Sequence, residues 1–160
     1  MAVKLQAQLY YTIDFYTNIY PVLKQYNMKA TEFAFTNWID TMGHMTSNQL
    51  KLVSTNSIDV QNHTTNHSNL NSFTHNQKYA AINDANAKIK AITNKTPIYC
   101  VYPYGNYDTD TISILKSLGY KTGFKAGGGL SADMNDKYAL PSTMILNGDT
   151  LNVFIRKLLS

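Results

Sequence analysis

Ile58-Asp59-Val60-Gln61-Asn62-His63-Thr64-Thr65-Asn66-His67 is the stretch on which the reading of the fold turns. Ile58 and Val60 alternate with Asp59 and Gln61, which is the period of a short strand. The run then breaks into a polar segment with two imidazoles four positions apart. In a βα repeat, the end of a strand is where a barrel places its chemistry. If the segment coils as a helical turn, His63 and His67 meet on one face. Neutral imidazole nitrogens suit zinc, nickel, cobalt or iron(II). Taken alone the spacing is a short motif, and a polar, Asn-rich loop that happens to hold two of the four His is the plainer reading. The rest of the chain decides between the two.

Outward from this stretch, strands and helices alternate. Upstream, residues 9–13 form a short apolar run ending at Asp14, which reads as a strand. Ile19, Val22, Leu23 and Tyr26 have helical spacing, with Pro21 in the first turn and Asn27 as a stop. Residues 30–36 alternate as a strand, and Thr46 or Ser47 can cap a helix that turns Leu50 and Val53 inward. Downstream, residues 77–93 give the longest helical pattern, and residues 98–102 an apolar run of strand length, punctuated by Tyr102-Pro103-Tyr104-Gly105. Asp108 caps a helix with a stripe of Ile112, Leu115 and Leu118, ending at Gly119. Residues 120–126 read as a strand, 127–138 as a loop and 143–146 as a last strand. Asp149 or Thr150 then opens a helix with Leu151, Phe154, Ile155 and Leu158 on its inner face. Such alternation predicts an α/β fold with a mainly parallel sheet. Six strands are too few for an eight-fold barrel of about 250 residues, so the expectation is a distorted, incomplete (β/α) barrel. No Gly-rich phosphate turn follows the first strand, and Gly127-Gly128-Gly129 opens no helix. The 160 residues are expected to form one domain.

Composition narrows the function classes. Hydrophobic residues make up 44% of the chain and charged residues 15%, which describes a globular domain with an amide- and hydroxyl-rich surface. The net charge is +4, but Lys and Arg are scattered singly, so no nucleic-acid partner is expected. Cys100 is the only cysteine, which rules out an internal disulfide. No apolar stretch reaches transmembrane length, and no signal peptide is visible at Met1 to Ala7. Twelve Tyr would suit a sugar-lining groove as well as a β-rich core.

Two motifs in order carry a family resemblance. His63-Thr64-x-x-His67 after a strand, followed 35 residues on by Tyr102-Pro103-Tyr104-Gly105, resembles the polysaccharide deacetylases, also described as the NodB-homology or carbohydrate esterase family 4 proteins. Thr12-Ile13-Asp14 looks like the family's first motif, and Tyr138-Ala139-Leu140-Pro141 like a segment common in its bacterial branch. The likeness runs over residues 9–158. It implies metal-dependent hydrolysis of N-acetyl or O-acetyl groups on an N-acetylglucosamine-type or other acetylated polysaccharide or oligosaccharide. By resemblance, Asp14, His63 and His67 hold a divalent transition metal, zinc foremost, with nickel, cobalt or iron as alternatives. Asp14 is also the candidate base. The backbone N–H of Tyr104 would face the oxyanion, and Tyr102, Pro103 and Tyr104 would line the substrate. An extracellular or bacterial cell-surface location is the family's usual one.

The departures from the family pattern bear on activity. The first motif normally reads Thr-Phe-Asp-Asp-Gly, whereas Thr12-Ile13-Asp14 runs straight into Phe15-Tyr16, leaving one carboxylate for two roles. Val101 and Ser142 stand where the family has arginines, and no His follows His75. The resemblance therefore predicts a deacetylase with impaired activity. The alternative is a non-catalytic carbohydrate-binding or structural relative, and whether the chain is an enzyme stays open. His44 and His75 read as solvated loop imidazoles, and Asp108 and Asp110 as carboxylates at a helix start.

Overall fold

The computed structural model describes residues 5–7, 12–127, 136–145 and 148–159. Six strands form one sheet: β1 (Leu5–Ala7), β2 (Ala30–Ala34), β3 (Ile58–Asn62), β4 (Tyr99–Val101), β5 (Thr122–Ala126) and β6 (Leu140–Ile145). Their order is β1-β6-β5-β4-β3-β2, and every strand pairing is parallel. With helices between the strands, this is the distorted, incomplete (β/α) barrel expected from the alternation. Strand parity sorts the two faces. Ile58, Val60 and Ala34 pack against helices, while Asp59, Gln61 and Phe33 lie on the other face.

The helices are α1 (Thr12–Asp14), α2 (Tyr20–Gln25), α3 (Ser47–Thr55), α4 (His75–Thr93), α5 (Thr109–Ser117) and α6 (Leu151–Leu159). A π-helical turn, Phe15–Ile19, joins α1 to α2. Thr46 opens α3 and Thr74 opens α4 with reciprocal capping boxes to Gln49 and Gln77. Asp108 caps α5 through the Thr111 N–H. In α3, Leu50 and Val53 are buried, each contributing about 1.5–3 kcal/mol by leaving water. Helix α4 spans both cores. Ile89 joins Val60 and Leu50 in one, and Ile82 joins Cys100 and Leu115 in the other.

Three expectations need correction. The run at residues 9–13 is not a strand where it is described, because Thr12–Asp14 is helical and β1 lies earlier at Leu5–Ala7. Thr12 and Phe15 are both buried, and that i,i+3 pair selects a helical turn. In α5 Leu115 is buried and Leu118 packs on the core as read, but Thr111 and Ile114 complete the buried face and Ile112 is only partly covered. In α6, Leu151 is 70% and Ile155 44% exposed, so those two do not form an inner face. The loop read after Gly127 falls mostly outside the described residues, although the Gly127 N–H donates to the Ser142 carbonyl.

The β3–β4 seam directly beneath the site is unusual. The two strands register only at Asn62 and Cys100. Gln61 supplies the missing ladder, its side-chain oxygen accepting from the N–H groups of Ile98 and Tyr99 at 2.8 Å each. The next two positions, Asn62 and His63, carry this seam into the polar loop.

Candidate active site

Strand β3 ends at Asn62, and His63 follows at its C-terminal end, buried at 5% exposure. The loop beyond is tied to the end of β2. The His63 N–H donates to the Ala34 carbonyl at 3.2 Å, and the Asn37 N–H to the Thr65 carbonyl at 2.8 Å. Thr64 and His67 both take left-handed backbone angles, φ 68° and 56°. For residues other than glycine this costs about 1–3 kcal/mol unless something holds it. Asn62 does the holding at Thr64, because its side-chain oxygen accepts the Thr64 N–H at 2.6 Å. Its amide nitrogen donates to the Ile82 carbonyl and to Asn86 Oδ1 on α4, and Asn86 Oδ1 also accepts from the Tyr120 hydroxyl. Thr64 Oγ1 is buried without a hydrogen-bond partner among the described residues.

The turn brings the two imidazoles together with ring centroids 4.8 Å apart and planes at 84°. His63 Nδ1 lies 2.7 Å from the Val101 carbonyl, so it carries the proton and donates, leaving Nε2 as a bare lone pair. Burial pushes the His63 pKa down to about 3 despite that hydrogen bond. Burial also lowers His67. Both rings are therefore neutral at neutral pH and fit as nitrogen ligands, and the Val101 contact is the kind of outer support that fixes a metal-ligating imidazole.

Asp14 does not join them. It is exposed on α1, on the far side of the Thr12/Phe15 stripe, and its side chain makes no cap. Among the described residues no three His, Cys, Asp or Glu side chains are grouped so as to hold a metal ion. The donor set thus fits a divalent ion as two nitrogens, and the carboxylate the sequence pattern assigned is not placed to complete it. Asp59 lies near in sequence but is engaged by Gln61 Nε2 at 2.9 Å.

The Tyr-Pro-Tyr-Gly turn closes over His67. Pro103 is buried, Tyr102 is buried with its hydroxyl donating to the Tyr138 carbonyl at 2.6 Å, and Tyr104 is 65% exposed. The Tyr104 ring sits 4.6 Å from His67, and its backbone is left-handed at φ 58°. The turn's own bonds run from the Gly105 N–H to the Tyr102 carbonyl and from the Asn106 N–H to the Pro103 carbonyl. Among the described residues the Tyr104 N–H is not a donor in either. Gly105 is required at φ 73°, since a Cβ there would meet Ala126 N at 2.9 Å.

Several neighbours were not legible as site residues. Phe35 packs on both imidazoles, 4.8 Å from His63 and 5.1 Å from His67, and Trp38 lies 5.1 Å beyond Phe35. The chain's only tryptophan was the one available signal. His44 is not a solvated loop residue, being half-buried 4.9 Å from Trp38 and 3.4 Å from Thr12 Oγ1. His75 opens α4 and pairs with Asp110 at 2.6 Å. Lys78, buried on α4, bridges Asp108 and Asp110 at the start of α5. This clamp follows directly on the Tyr104 turn.

The family model described as polysaccharide deacetylase matches residues 10–123. A Bacillus subtilis (strain 168) protein, YxkH, which carries a provisional polysaccharide deacetylase name, is 29% identical over 141 residues, 88% of this chain and 50% of that protein. The structure of the Streptococcus pyogenes deacetylase PplD in complex with acetate superposes with a TM-score of 0.85 at 27% identity, covering 92% of this chain and 66% of that one. A Bacillus anthracis protein described as a CE4 family pseudoenzyme shares the fold, with a TM-score of 0.68 at 17% identity over 98% of this chain and 50% of that one. The chain spans half the length of the curated relative it matches.

Proposed function

The chain belongs to the polysaccharide deacetylase family, and from that premise we propose that it binds an acetylated polysaccharide at the His63–His67 cleft and removes acetyl groups with strongly impaired efficiency. What supports this reading is the split state of the site. His63 and His67 meet with the tautomer of His63 set by Val101, while Asp14 is exposed and forms no three-residue ligand group with them among the described residues. His63 Nε2 and the His67 ring would hold a divalent transition ion, zinc foremost. When bound, such an ion supplies polarisation of the acetyl carbonyl and a lower pKa for water. The chain's own residues do the rest. Phe35 fixes both rings by packing, Tyr104 covers the ring of His67, and the Tyr104 N–H is the candidate donor to oxygen charge developing on the acetyl group.

Among the described residues no carboxylate is grouped with the two histidines to act as a base, and a positioned base typically contributes about 10²–10⁴-fold. Acetate release from an N-acetylglucosamine oligomer, with zinc or cobalt added, tests the reading. The expected result is barely measurable turnover by the parent and a gain on inserting Asp-Gly after Asp14. Robust turnover by the parent, abolished by Asp14→Ala, would overturn it. A second reading, a carbohydrate-binding relative without catalysis, is favoured by an open cleft of about 640 Å³ beside His67, where Phe73 and Tyr104 are among the lining residues, and predicts oligosaccharide binding with no acetate release from either protein.

A further inference from the structure

Lysines that stand singly along the sequence are gathered by the fold onto one edge of the sheet. All strand pairings are parallel, so the strands start at a common edge, opposite the edge that bears His63. Helices that cross back between parallel strands end at that starting edge as well. Lys24, Lys90 and Lys116 stand in the last turns of α2, α4 and α5. Lys29 immediately precedes β2, Lys121 immediately precedes β5, and Lys137 lies shortly before β6. All six are exposed. The edge is tied together locally. The Lys121 N–H donates to the Ile98 carbonyl at 2.8 Å, and the Gly123 N–H to the Lys137 carbonyl at 3.2 Å. Lys95 Nζ donates to the Ser54 carbonyl at 2.7 Å, at the end of α3. Lys116 and Lys137, from different strand–helix units, lie 5.3 and 5.5 Å from the Tyr138 ring. None of these lysines is ion-paired with a carboxylate among the described residues. The described carboxylates nearest this edge in the strand order are Asp59, engaged by Gln61, and Asp136. Outside the described residues Asp133 is the only acidic side chain, so the excess of positive charge stands wherever Asp133 lies.

Charge is not the only feature of this edge. Tyr26, at the C-cap of α2, is 66% exposed, and Met28, in the turn into β2, is 53% exposed, so both stand in water between Lys24 and Lys29. Leu52, in the last turn of α3, is exposed at the same end. Attraction to the carbonyl end of a helix accounts for Lys24, Lys90 and Lys116. It does not account for lysines placed before strands, nor for large apolar side chains beside them. Single cations spread across the breadth of a sheet match a flat, diffuse anionic surface better than a groove for one strand of polymer. Tyrosine and other apolar side chains at such a margin enter the headgroup layer. We propose that this edge docks on an anionic lipid surface, with the lysines supplying attraction and Tyr26 and Met28 inserting. A weak electrostatic signal and a weak apolar one together are what peripheral binding requires. Docked in this way, the His63–His67 pair faces away from the bilayer, beyond the five residues of β3, a length of about 17 Å. The surface shares no residue with the histidine site, so it stands whether or not the chain releases acetate.

Co-sedimentation of the 160-residue chain with vesicles of phosphatidylcholine, and of phosphatidylcholine mixed with phosphatidylglycerol, tests this. Binding should appear on the mixed vesicles and weaken as salt rises. Lys121 and Lys125 stand at opposite ends of β5, and reversing either changes the net charge equally. Lys121→Glu should weaken binding about five-fold or more, because it loses one attracted charge and adds a repelled one. Lys125 lies about 13 Å further from the bilayer, more than the Debye length of about 10 Å at 0.1 M salt, so Lys125→Glu should change binding less than about two-fold. Tyr26→Ser, at an exposed position, should lower the binding that survives at high salt. Equal losses from the two lysine variants, equal binding to neutral vesicles, or an unchanged high-salt remainder in Tyr26→Ser would each overturn the proposal. So would the absence of binding to mixed vesicles. If soluble polyphosphate then binds, the face is one for a dissolved polyanion instead.

Discussion

Glu32 offers a test of the fold that does not involve the site. It lies in the middle of β2, in register with Val60 and on the face that packs against helices. It is buried at 8% exposure and has no hydrogen-bond or ion-pair partner among the described residues. Desolvation by burial raises its pKa from 4.5 to about 8. The sign follows from proton counts. Between those values the native state holds a proton that the unfolded chain has released, so stability is full below about 4.5 and is lost as pH rises towards 8. At 1.36 kcal/mol per pH unit, the loss is about 3 kcal/mol by pH 7 and about 5 kcal/mol above pH 8. Against a typical total of about 5–15 kcal/mol this is a large fraction. Glu32→Gln removes the titration and keeps the shape. Urea unfolding of parent and variant at pH 4.5, 7 and 8.5 should show a gap in favour of Gln that grows by about 3 kcal/mol from the first pH to the second. A gap that does not change with pH would refute the argument, whatever its size, because it would mean that Glu32 is as well solvated in the fold as in the unfolded chain.

Other outcomes follow from the site and its supports. His63→Ala should abolish cobalt or zinc binding in calorimetric titration. In the parent, affinity should begin to weaken only below pH 6.5, because burial lowers both imidazole pKa values and delays proton competition. Gly105→Ala, forced into φ 73° and onto Ala126 N, should destabilise by about 1–3 kcal/mol in chemical unfolding. Tyr120→Phe removes the hydroxyl bonded to Asn86 Oδ1 and should cost about 1 kcal/mol in the same assay.

Local physics made much of this molecule legible in its sequence. The alternation of Ile58 and Val60 reflects a period and appears as read, whereas His63 and His67 meet through a turn with Thr64 and His67 left-handed rather than through the helical turn their spacing suggested. Asp108 and Thr46 cap the helices they precede, because a side-chain oxygen at that position satisfies an end N–H wherever the helix goes. Helix α4 begins two residues earlier than its apolar pattern, since the Thr74–Gln77 box was not read as a start. The misplacement of Asp14 has a different origin. An apolar run ending at Asp14 read as a strand, but burial of Thr12 and Phe15 decides the backbone there, and Thr12 and Ile13 are held by Met45 and Gly43, about thirty residues away. Phe35, Trp38 and Asn106 reach the site from other segments, and nothing local marks them. Asn62 resembles any polar strand end until α4 is laid across it.

The side chain of Asn62 also joins two parts of the molecule that would otherwise open separately. One end grips the amide of Thr64 in the loop that carries the histidine pair, and the other grips α4 through Ile82 and Asn86. Loops at strand ends usually sit at the low-stability end of a protein and trade their amide protons with solvent through small local fluctuations. Here Thr64 cannot be released without letting go of a residue that is itself pinned beneath the longest helix. Its amide should therefore exchange on the timescale of α4 leaving the sheet, slower than its loop neighbours. That makes the loop around His63 a member of the same cooperative unit as the helix layer, so damage to the helix layer loosens this end of the site even when no residue of the site is touched.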